Sequence, residues 1–203
     1  MATHIGLNYR QRQAQMTRER IVAAARRLMT ERGWSGATVE AIAEDAGVAT
    51  PTVYAVFGNK RTILKAMRET MVRDADIGGL MDQAAAEPSP RRRLELWAKL
   101  IRRQMETSSD VIAIHREAAR SDPAVAEAHR RVLDHRARAF REFVDGLREH
   151  LAPGLDVTIA TDLLWAFSTE GLWHELTVER GWTPDAFEQW LAKTLSQQLL
   201  VEK

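Results

Sequence analysis

The sequence predicts an all-α fold of about nine helices. Apolar residues recur at helical spacing from end to end, the alternation typical of half-buried strands is absent, and Gly or Pro interrupts the pattern at intervals that suit helices. The chain has 203 residues, of which 45% are hydrophobic and 28% charged. This is the composition of an ordinary globular protein, and the length is sufficient to bury a core.

The first two helices follow from an apolar stripe and from residues that start or stop helices. Gly33 is expected to end the first helix. Thr38 is the predicted N-cap of a short second helix, which ends at Gly47. The stripe of the first helix consists of Ile21, Ala24, Ala25, Leu28 and Met29.

The third helix is also short, and the fourth is long. The third is predicted to begin near Thr50 and Pro51, because proline suits the first turn of a helix, and to break at residues 57–59. The fourth runs from about Lys60 until the sequence Ile-Gly-Gly at 77–79 weakens it.

The second half of the chain follows a Pro-rich break at residues 87–90 and carries five further apolar stripes. Each stripe predicts one helix, and Pro or Gly separates most of them. The predicted helices lie at about 94–105, 111–121, 125–147, 157–179 and 185–201.

Composition and missing motifs exclude several functions. The chain has no cysteine, which excludes disulfides and a thiol nucleophile. Its six histidines show no His-Glu-x-x-His spacing, and neither a Gly-rich phosphate loop nor a Gly-x-Ser-x-Gly motif occurs. We therefore expect no enzymatic activity, no catalytic residue, no cofactor and no metal, although His and acidic residues brought together by folding leave a metal site open. With neither a signal peptide nor a membrane span in the sequence, we expect a cytoplasmic protein without a membrane partner.

Charge is distributed unevenly along the chain. Residues 1–64 contain nine Lys and Arg against five Asp and Glu, a net charge of +4, whereas residues 65–203 contain 20 against 23, a net charge of −3. A basic N-terminal region on a slightly acidic body is expected if only that region contacts phosphates. The alternative is chance variation between segments.

Residues 38–64 have the pattern of a helix-turn-helix. Two short helices meet at a tight turn whose Gly47 can adopt a backbone conformation closed to most residues, and Ala43 is small where the helices pack closely. Val48, Val53 and Phe57 can cover the unit from the other side. This arrangement leaves the second helix protruding, as required for entry into a major groove.

The same segment resembles the TetR family of bacterial repressors. The resemblance covers roughly residues 15–70 closely and is looser in the C-terminal half. The residues that carry it are Ile42-Ala43, Gly47-Val48, Thr52, Tyr54, Phe57, Lys60 and Leu64, at the family's spacing.

The resemblance implies a DNA-binding transcriptional regulator. It implies a helix-turn-helix domain at 1–62 and a helical effector-binding and dimerisation domain at 63–203. It also implies a repressor that binds a palindromic operator in double-stranded DNA as a homodimer and is released by a small molecule. The alternative is a helical scaffold or interaction protein that does not bind DNA.

Seven residues are expected to contact DNA, through phosphates or base edges. A lysine that opens a helix is unfavourable to the helix dipole, and a phosphate contact would explain its presence there. Ala55 and Val56 occupy positions that are polar or basic in many relatives, which leaves the operator sequence open. The seven residues are Arg18, Thr38, Thr50, Pro51, Thr52, Tyr54 and Lys60.

Each of these assignments has an alternative. Tyr54 can instead belong to the core, and Thr50 and Thr52 can simply cap the third helix. Arg18 belongs to a group of arginines, with Arg10, Arg12 and Arg20, that forms either a solvated tail or an arm on the DNA backbone or minor groove.

The last two predicted helices are expected to form a homodimer interface. The helix at 157–179 is apolar on more than one face, and such a helix is buried on several sides. Two helices from each subunit would then form a four-helix interface. The alternative is that their aromatic residues pack within a monomer.

A small, largely apolar effector is the third expected partner, in a pocket surrounded by the fifth to eighth helices. Each polar residue assigned to this pocket has the alternative of a satisfied core or interface group. The assigned residues are Trp97, Ile101, Met105, His115, His129, Arg136, Phe140, Phe143, Phe167 and Glu170.

Overall fold

The computed structural model describes residues 9–201 and confirms the all-α prediction. Within these residues there is no strand beyond an isolated antiparallel bridge between Leu151 and Leu200, and no helix is long and apolar enough to cross a membrane. A 3-10 turn covers Arg148–His150, and a π-helical segment covers Glu175–Glu179. The ten α-helices are α1 (Tyr9–Gly36), α2 (Val39–Asp45), α3 (Thr50–Phe57), α4 (Lys60–Asp74), α5 (Ile77–Ala86), α6 (Pro90–Ser121), α7 (Pro123–Asp145), α8 (Val157–Phe167), α9 (Glu170–His174) and α10 (Pro184–Leu199).

Helices α1 to α4 surround one hydrophobic core, which we call the N-terminal core. The stripe predicted for the first helix is buried there, and the apolar face of α4 from Ile63 to Met71 belongs to the same core. Side chains from beyond α4 complete it, among them Val111, Ile114 and Ala118 of α6. The division between domains at residue 62 stays a prediction.

The remaining helices surround a second core, which we call the C-terminal core. Its centre is the first half of α6, where Leu94, Trp97 and Ile101 are completely buried. Helix α10 packs along α6, while α7 and α8 pack on one another. Phe187 and Leu191 of α10 are completely buried in this core.

Helix α6 is one continuous helix of 32 residues, so the prediction of two separate helices at 94–105 and 111–121 is wrong. The polar sequence Thr-Ser-Ser at 107–109 separates the two apolar stripes without interrupting the helix. The Thr107 hydroxyl donates a hydrogen bond to the backbone oxygen of Arg103 (2.8 Å), which accommodates this hydroxyl inside a helix.

Two further predictions about helices are wrong. The segment predicted as one helix over 157–179 is divided, because the backbone at Ser168 leaves the helical conformation and Thr169 caps α9. The Trp97 indole donates to the Ser168 hydroxyl (3.2 Å), and Arg136 donates to the Ser168 backbone oxygen. The second difference is α5, which forms across 77–79, where a break was expected.

The N-terminal helices are tied to α6 by polar contacts as well as by the shared core. Arg26 donates to both carboxylate oxygens of Asp110 (2.6 and 2.7 Å), and this pairing raises the pKa of the Arg26 guanidinium. Near the end of α1, the Trp34 amide donates to Glu117 (3.0 Å). We call these contacts the α1–α6 junction.

Gly33 allows the second contact of this junction. Its φ of 70° interrupts α1, and one further turn continues to Gly36, so the predicted end of the first helix is a kink. A Cβ atom at position 33 would lie 2.6 Å from the Glu117 carboxylate that accepts from Trp34. The kink and the close approach both favour glycine.

We predict that Gly33→Ala lowers the free energy of unfolding by about 1–3 kcal/mol, because the left-handed conformation is strained and Glu117 must move. Urea denaturation measures this change. Gly78→Ala is the control: this position lies inside α5 with no atom within 4 Å of the added carbon, so stability should stay equal or rise. Equal stability of Gly33→Ala and the wild type would contradict the role given to the kink.

Candidate functional site

The helix-turn-helix forms as the sequence predicts. The Thr38 hydroxyl accepts a hydrogen bond from the Ala41 amide (3.1 Å) and so caps α2. Gly47 has a φ of 61°, in the left-handed region, at the turn between α2 and α3. Arg20 of α1 donates to the backbone oxygens of Ala46 and Gly47 and thereby fixes the turn from behind.

Helix α3 has one buried and one exposed face. Val53 and Phe57 are buried in the N-terminal core, whereas Pro51, Tyr54 and Ala55 are exposed on the opposite face. The Tyr54 side chain is 47% exposed, which excludes the alternative that it belongs to the core. The exposed face carries no charged side chain, and its contacts with DNA stay a prediction.

The two threonines in the first turn of α3, Thr50 and Thr52, are half-buried. Ala49 rather than a threonine occupies the N-cap position of α3, and no side chain caps the helix there. Thr50 and Thr52 therefore have no observed capping role, and both residues stay partly exposed.

Lys60 has an intramolecular partner. Its ammonium donates to the backbone oxygen of Trp34 (2.6 Å) and lies 4.2 Å from the centre of the indole ring, and burial lowers the pKa of the Lys60 amine. This contact explains a cation at the start of α4 without a phosphate. Arg18 similarly stacks on the Phe57 ring at 4.5 Å, so its guanidinium lies beside α3. Contact of either residue with DNA stays a prediction.

Five of the ten residues predicted to line an effector pocket pack tightly inside the C-terminal core. The Trp97 ring meets Phe140 edge to face at 4.6 Å and Phe143 at 4.3 Å. The five buried residues are Trp97, Ile101, Met105, Phe140 and Phe143.

Three other predicted pocket residues lie near the break between α8 and α9. The Arg136 guanidinium lies against the rings of both Phe140 (4.8 Å) and Trp165 (4.7 Å), and burial lowers its pKa to about 10. Glu170 forms an ion pair with Arg116 of α6 (2.7 Å). The third, Phe167, meets Trp190 of α10 edge to face at 6.2 Å. Each of the three therefore has a structural role, and a contact with an effector stays a prediction.

The remaining two, His115 and His129, line a cleft between α4 and α7, which we call the α4–α7 cleft. Its volume is about 570 Å³, within the range of small-molecule sites. Sequence reasoning missed its other polar residues, among them Arg61, Lys65 and Arg68. These three cations are spaced by four and three residues, which places them on one face of α4 and could have indicated a charged site. The same spacing is also typical of a solvated helix face.

His115 connects the wall of this cleft to α4. Its Nε2 lies 3.1 Å from the backbone oxygen of Leu64, close enough for a hydrogen bond. Burial lowers the pKa of the His115 imidazole to about 4, and the nearby positive charge of Arg68 acts in the same direction. The imidazole is therefore neutral near pH 7. In the part of the chain that the structure describes, no group of three or more His, Asp or Glu is arranged to hold a metal ion.

Comparison with known proteins agrees with the helix-turn-helix geometry. A protruding α3 on a three-helix unit is the geometry of helix-turn-helix DNA-binding domains. Residues 21–67 match the model of the family described as bacterial regulatory proteins, tetR family. The match covers α2 and α3 together with the adjoining parts of α1 and α4. None of the curated proteins that were compared with the chain matches it.

Solved structures resemble the chain over most of its length. The fatty acid degradation regulator FadR from Bacillus halodurans has 21% sequence identity and a TM-score of 0.70, covering 88% of this chain and 94% of its own. FadR from Bacillus subtilis, in complex with stearoyl-CoA, has 21% identity and a TM-score of 0.68, with 87% and 96% covered. A transcriptional regulator from Aquifex aeolicus has 20% identity and a TM-score of 0.68, with 89% and 98% covered. At this identity the likeness establishes the fold.

We predict that His115 makes the protein less stable in acid. The pKa is about 4 in the folded protein and 6.5 in the unfolded chain, so between these values the unfolded chain binds more protons. The contribution of His115 to unfolding free energy is then lost as pH falls from 6.5 towards 4, by at most about 3 kcal/mol. Above pH 6.5 it is constant.

Urea denaturation across this pH range compares the wild type with His115→Gln, whose amide can still donate to the Leu64 oxygen. The variant should lose less stability on acidification. His150→Gln, on the exposed 3-10 turn, controls for the removal of one imidazole. An equal loss in the wild type and His115→Gln would show that His115 does not cause the effect.

Proposed function

We infer that the chain is a transcriptional repressor that binds a palindromic operator as a homodimer and is released by a small molecule. In this proposal residues 1–62 read DNA, and residues 63–203 dimerise and bind the effector. The observation that carries it is the geometry of α3, whose Val53 and Phe57 are anchored in the core while Pro51, Tyr54 and Ala55 protrude. Such a helix can lie in a major groove without disturbing the fold.

The surroundings of α3 support contacts with phosphates. The Tyr54 hydroxyl can donate to a phosphate oxygen, and Thr38 stands at the start of α2 with a hydroxyl that still has a proton to donate. Arg18, stacked on Phe57, adds a positive charge beside the helix. Pro51 and Ala55 offer apolar surface that can contact thymine methyl groups.

A continuous apolar seam on α8 and α10 supports the homodimer. Ile159, Leu163 and Phe167 follow one another at four-residue spacing on α8; Ile159 is 47% exposed and the other two are half-buried. Phe167 meets the half-buried Trp190, which extends the seam onto α10. A second copy of the same seam would cover it with two-fold symmetry. Such a dimer would present two α3 helices about one turn of DNA apart, roughly 34–36 Å.

Release by an effector is supported by the position of α4. Only two residues separate this helix from α3, and it borders the α4–α7 cleft, so a ligand there can change the orientation of α3. Bacillus subtilis FadR, which has the same fold, was solved in complex with stearoyl-CoA, and this supports binding of a small molecule by this chain.

We predict that Tyr54→Phe weakens binding to the selected DNA about tenfold, through loss of a hydrogen bond to a charged oxygen. A duplex is first selected from random sequences with the wild type, and affinity is then measured by fluorescence anisotropy at several salt concentrations. Affinity of the wild type should fall steeply with salt. Val178→Ala, at an exposed position beyond α9, is the control and should bind like the wild type. Failure to select any duplex would favour the scaffold alternative.

We predict that Ile159→Asp converts the dimer into monomers, because a carboxylate would be buried without a partner in the apolar seam. Sedimentation velocity measures the change, and the dissociation constant should rise at least about a hundredfold. Thr158→Asp is the matched control, since residue 158 is exposed on another face and lies beside Arg141 (3.4 Å). A wild type that is monomeric at all concentrations would refute the dimer.

A further inference from the structure

The α4–α7 cleft combines an apolar floor with a positively charged rim. Leu64 of α4 and Val125 and Val132 of α7 provide apolar surface inside it. Arg61, Lys65, Arg68 and Arg131 stand around this surface. None of the described residues that line the cleft is acidic.

Three of these four cations are paired with acidic residues outside the cleft lining. Arg61 pairs with Asp122 (2.7 Å), Lys65 with Glu69 (3.7 Å) and Arg131 with Glu127 (2.9 Å). The three cationic side chains are largely exposed, and each has N–H donors beyond the one that its acidic partner accepts.

Arg68 differs from the other three cations. It is half-buried, and within residues 9–201 its guanidinium has neither a hydrogen bond nor an ion pair. Its charge acts on His115 across the cleft wall. A guanidinium that lacks an acceptor can donate a bidentate pair of hydrogen bonds from its N–H groups to a bound anion, which would supply the missing acceptor.

We propose that the α4–α7 cleft binds an organic anion with an apolar body, whose anionic group pairs with Arg68 while its body covers Leu64 and Val132. This deepens the proposed function, on which it rests, by naming the chemical class of the effector. The sequence predicted a largely apolar ligand. Because an unpaired cation lies beside the apolar surface of the cleft, we now expect a ligand that also carries a negative charge. A carboxylate and a phosphate ester share the required chemistry, and the experiment separates them.

Such a ligand would act on DNA binding through α4. It contacts α4 through Arg68 and Leu64 and contacts α7 through Val132, so its affinity depends on the spacing of these two helices. A ligand shifts a conformational equilibrium only by its difference in affinity for the two states. Because α4 directly follows α3, the spacing favoured by the ligand also sets the orientation of α3.

The test measures binding of decanoate, decyl phosphate and uncharged 1-decanol to the full chain by isothermal titration calorimetry, without DNA. At least one anion should bind the wild type more tightly than decanol does. Arg68→Gln should weaken binding of that anion about tenfold or more, and Arg68→Lys should restore part of it. Arg103→Gln, an exposed arginine of α6 outside the cleft, is the matched control and should bind normally. The preferred anion identifies the headgroup.

The experiment separates this inference from the proposed function. Equal affinity of the wild type and Arg68→Gln for both anions, or tightest binding of decanol, overturns the anion site whatever the protein does with DNA. If the anion site is confirmed, DNA release is measured by adding the preferred anion to the selected duplex complex. Release from the wild type but not from Arg68→Gln supports the effector role, and no release from either overturns that role alone.

Discussion

The continuity of α6 is the constraint on which the rest of the structure depends. One end of this helix is buried in the C-terminal core at Trp97, and the other end completes the N-terminal core at Ile114 and Ala118. A regular helix of this length transmits position along its axis, because every turn is fixed by backbone hydrogen bonds. The α1–α6 junction at Arg26 and Trp34 then attaches the N-terminal helices to the second half of α6.

Helix α4 is less tightly packed than α6 and the α1–α6 junction, and it can therefore change position relative to them. On one side Ile63 and Met67 are buried in the N-terminal core, and towards α6 the Leu64 oxygen meets His115. Its third side, with Lys65 and Arg68, borders a cleft instead of a packed helix. Close-packed faces resist displacement, whereas a face on a cleft can respond to what fills it. A change in α4 must then be shared with α3, since Gly58 and Asn59 alone separate the two helices.

The N-terminal region could be predicted from the sequence because its structure depends on neighbouring residues. The C-terminal region was predicted less well because its structure depends on contacts between distant residues. The Thr38 cap, the left-handed Gly47 and the burial of Phe57 each follow from a few neighbouring residues, and the structure has all three. The break at Ser168 does not follow in this way, because Trp97 and Arg136 hold that backbone from distant helices. Four of the predicted effector residues are polar interruptions of apolar stripes and six are apolar residues of those stripes. Such a pattern locates a helix face but does not show which faces enclose a cavity.

The number of cations in the N-terminal region does not show how many of them are available for DNA. The excess of cations predicted DNA contact, yet Arg20, Arg26 and Arg27 are engaged within the fold, as are Lys60 and Arg61. These side chains stabilise the turn between α2 and α3 and the contacts between helices. A DNA phosphate near them would have to share N–H donors that already bind groups of the protein. In the proposed function, recognition would therefore depend more on hydroxyl, backbone and apolar contacts of the uncharged α3 face, together with the arginines that precede it. For such an interface the fit of α3 into the groove would decide affinity, and the proposed role of α4 is to set the orientation of α3.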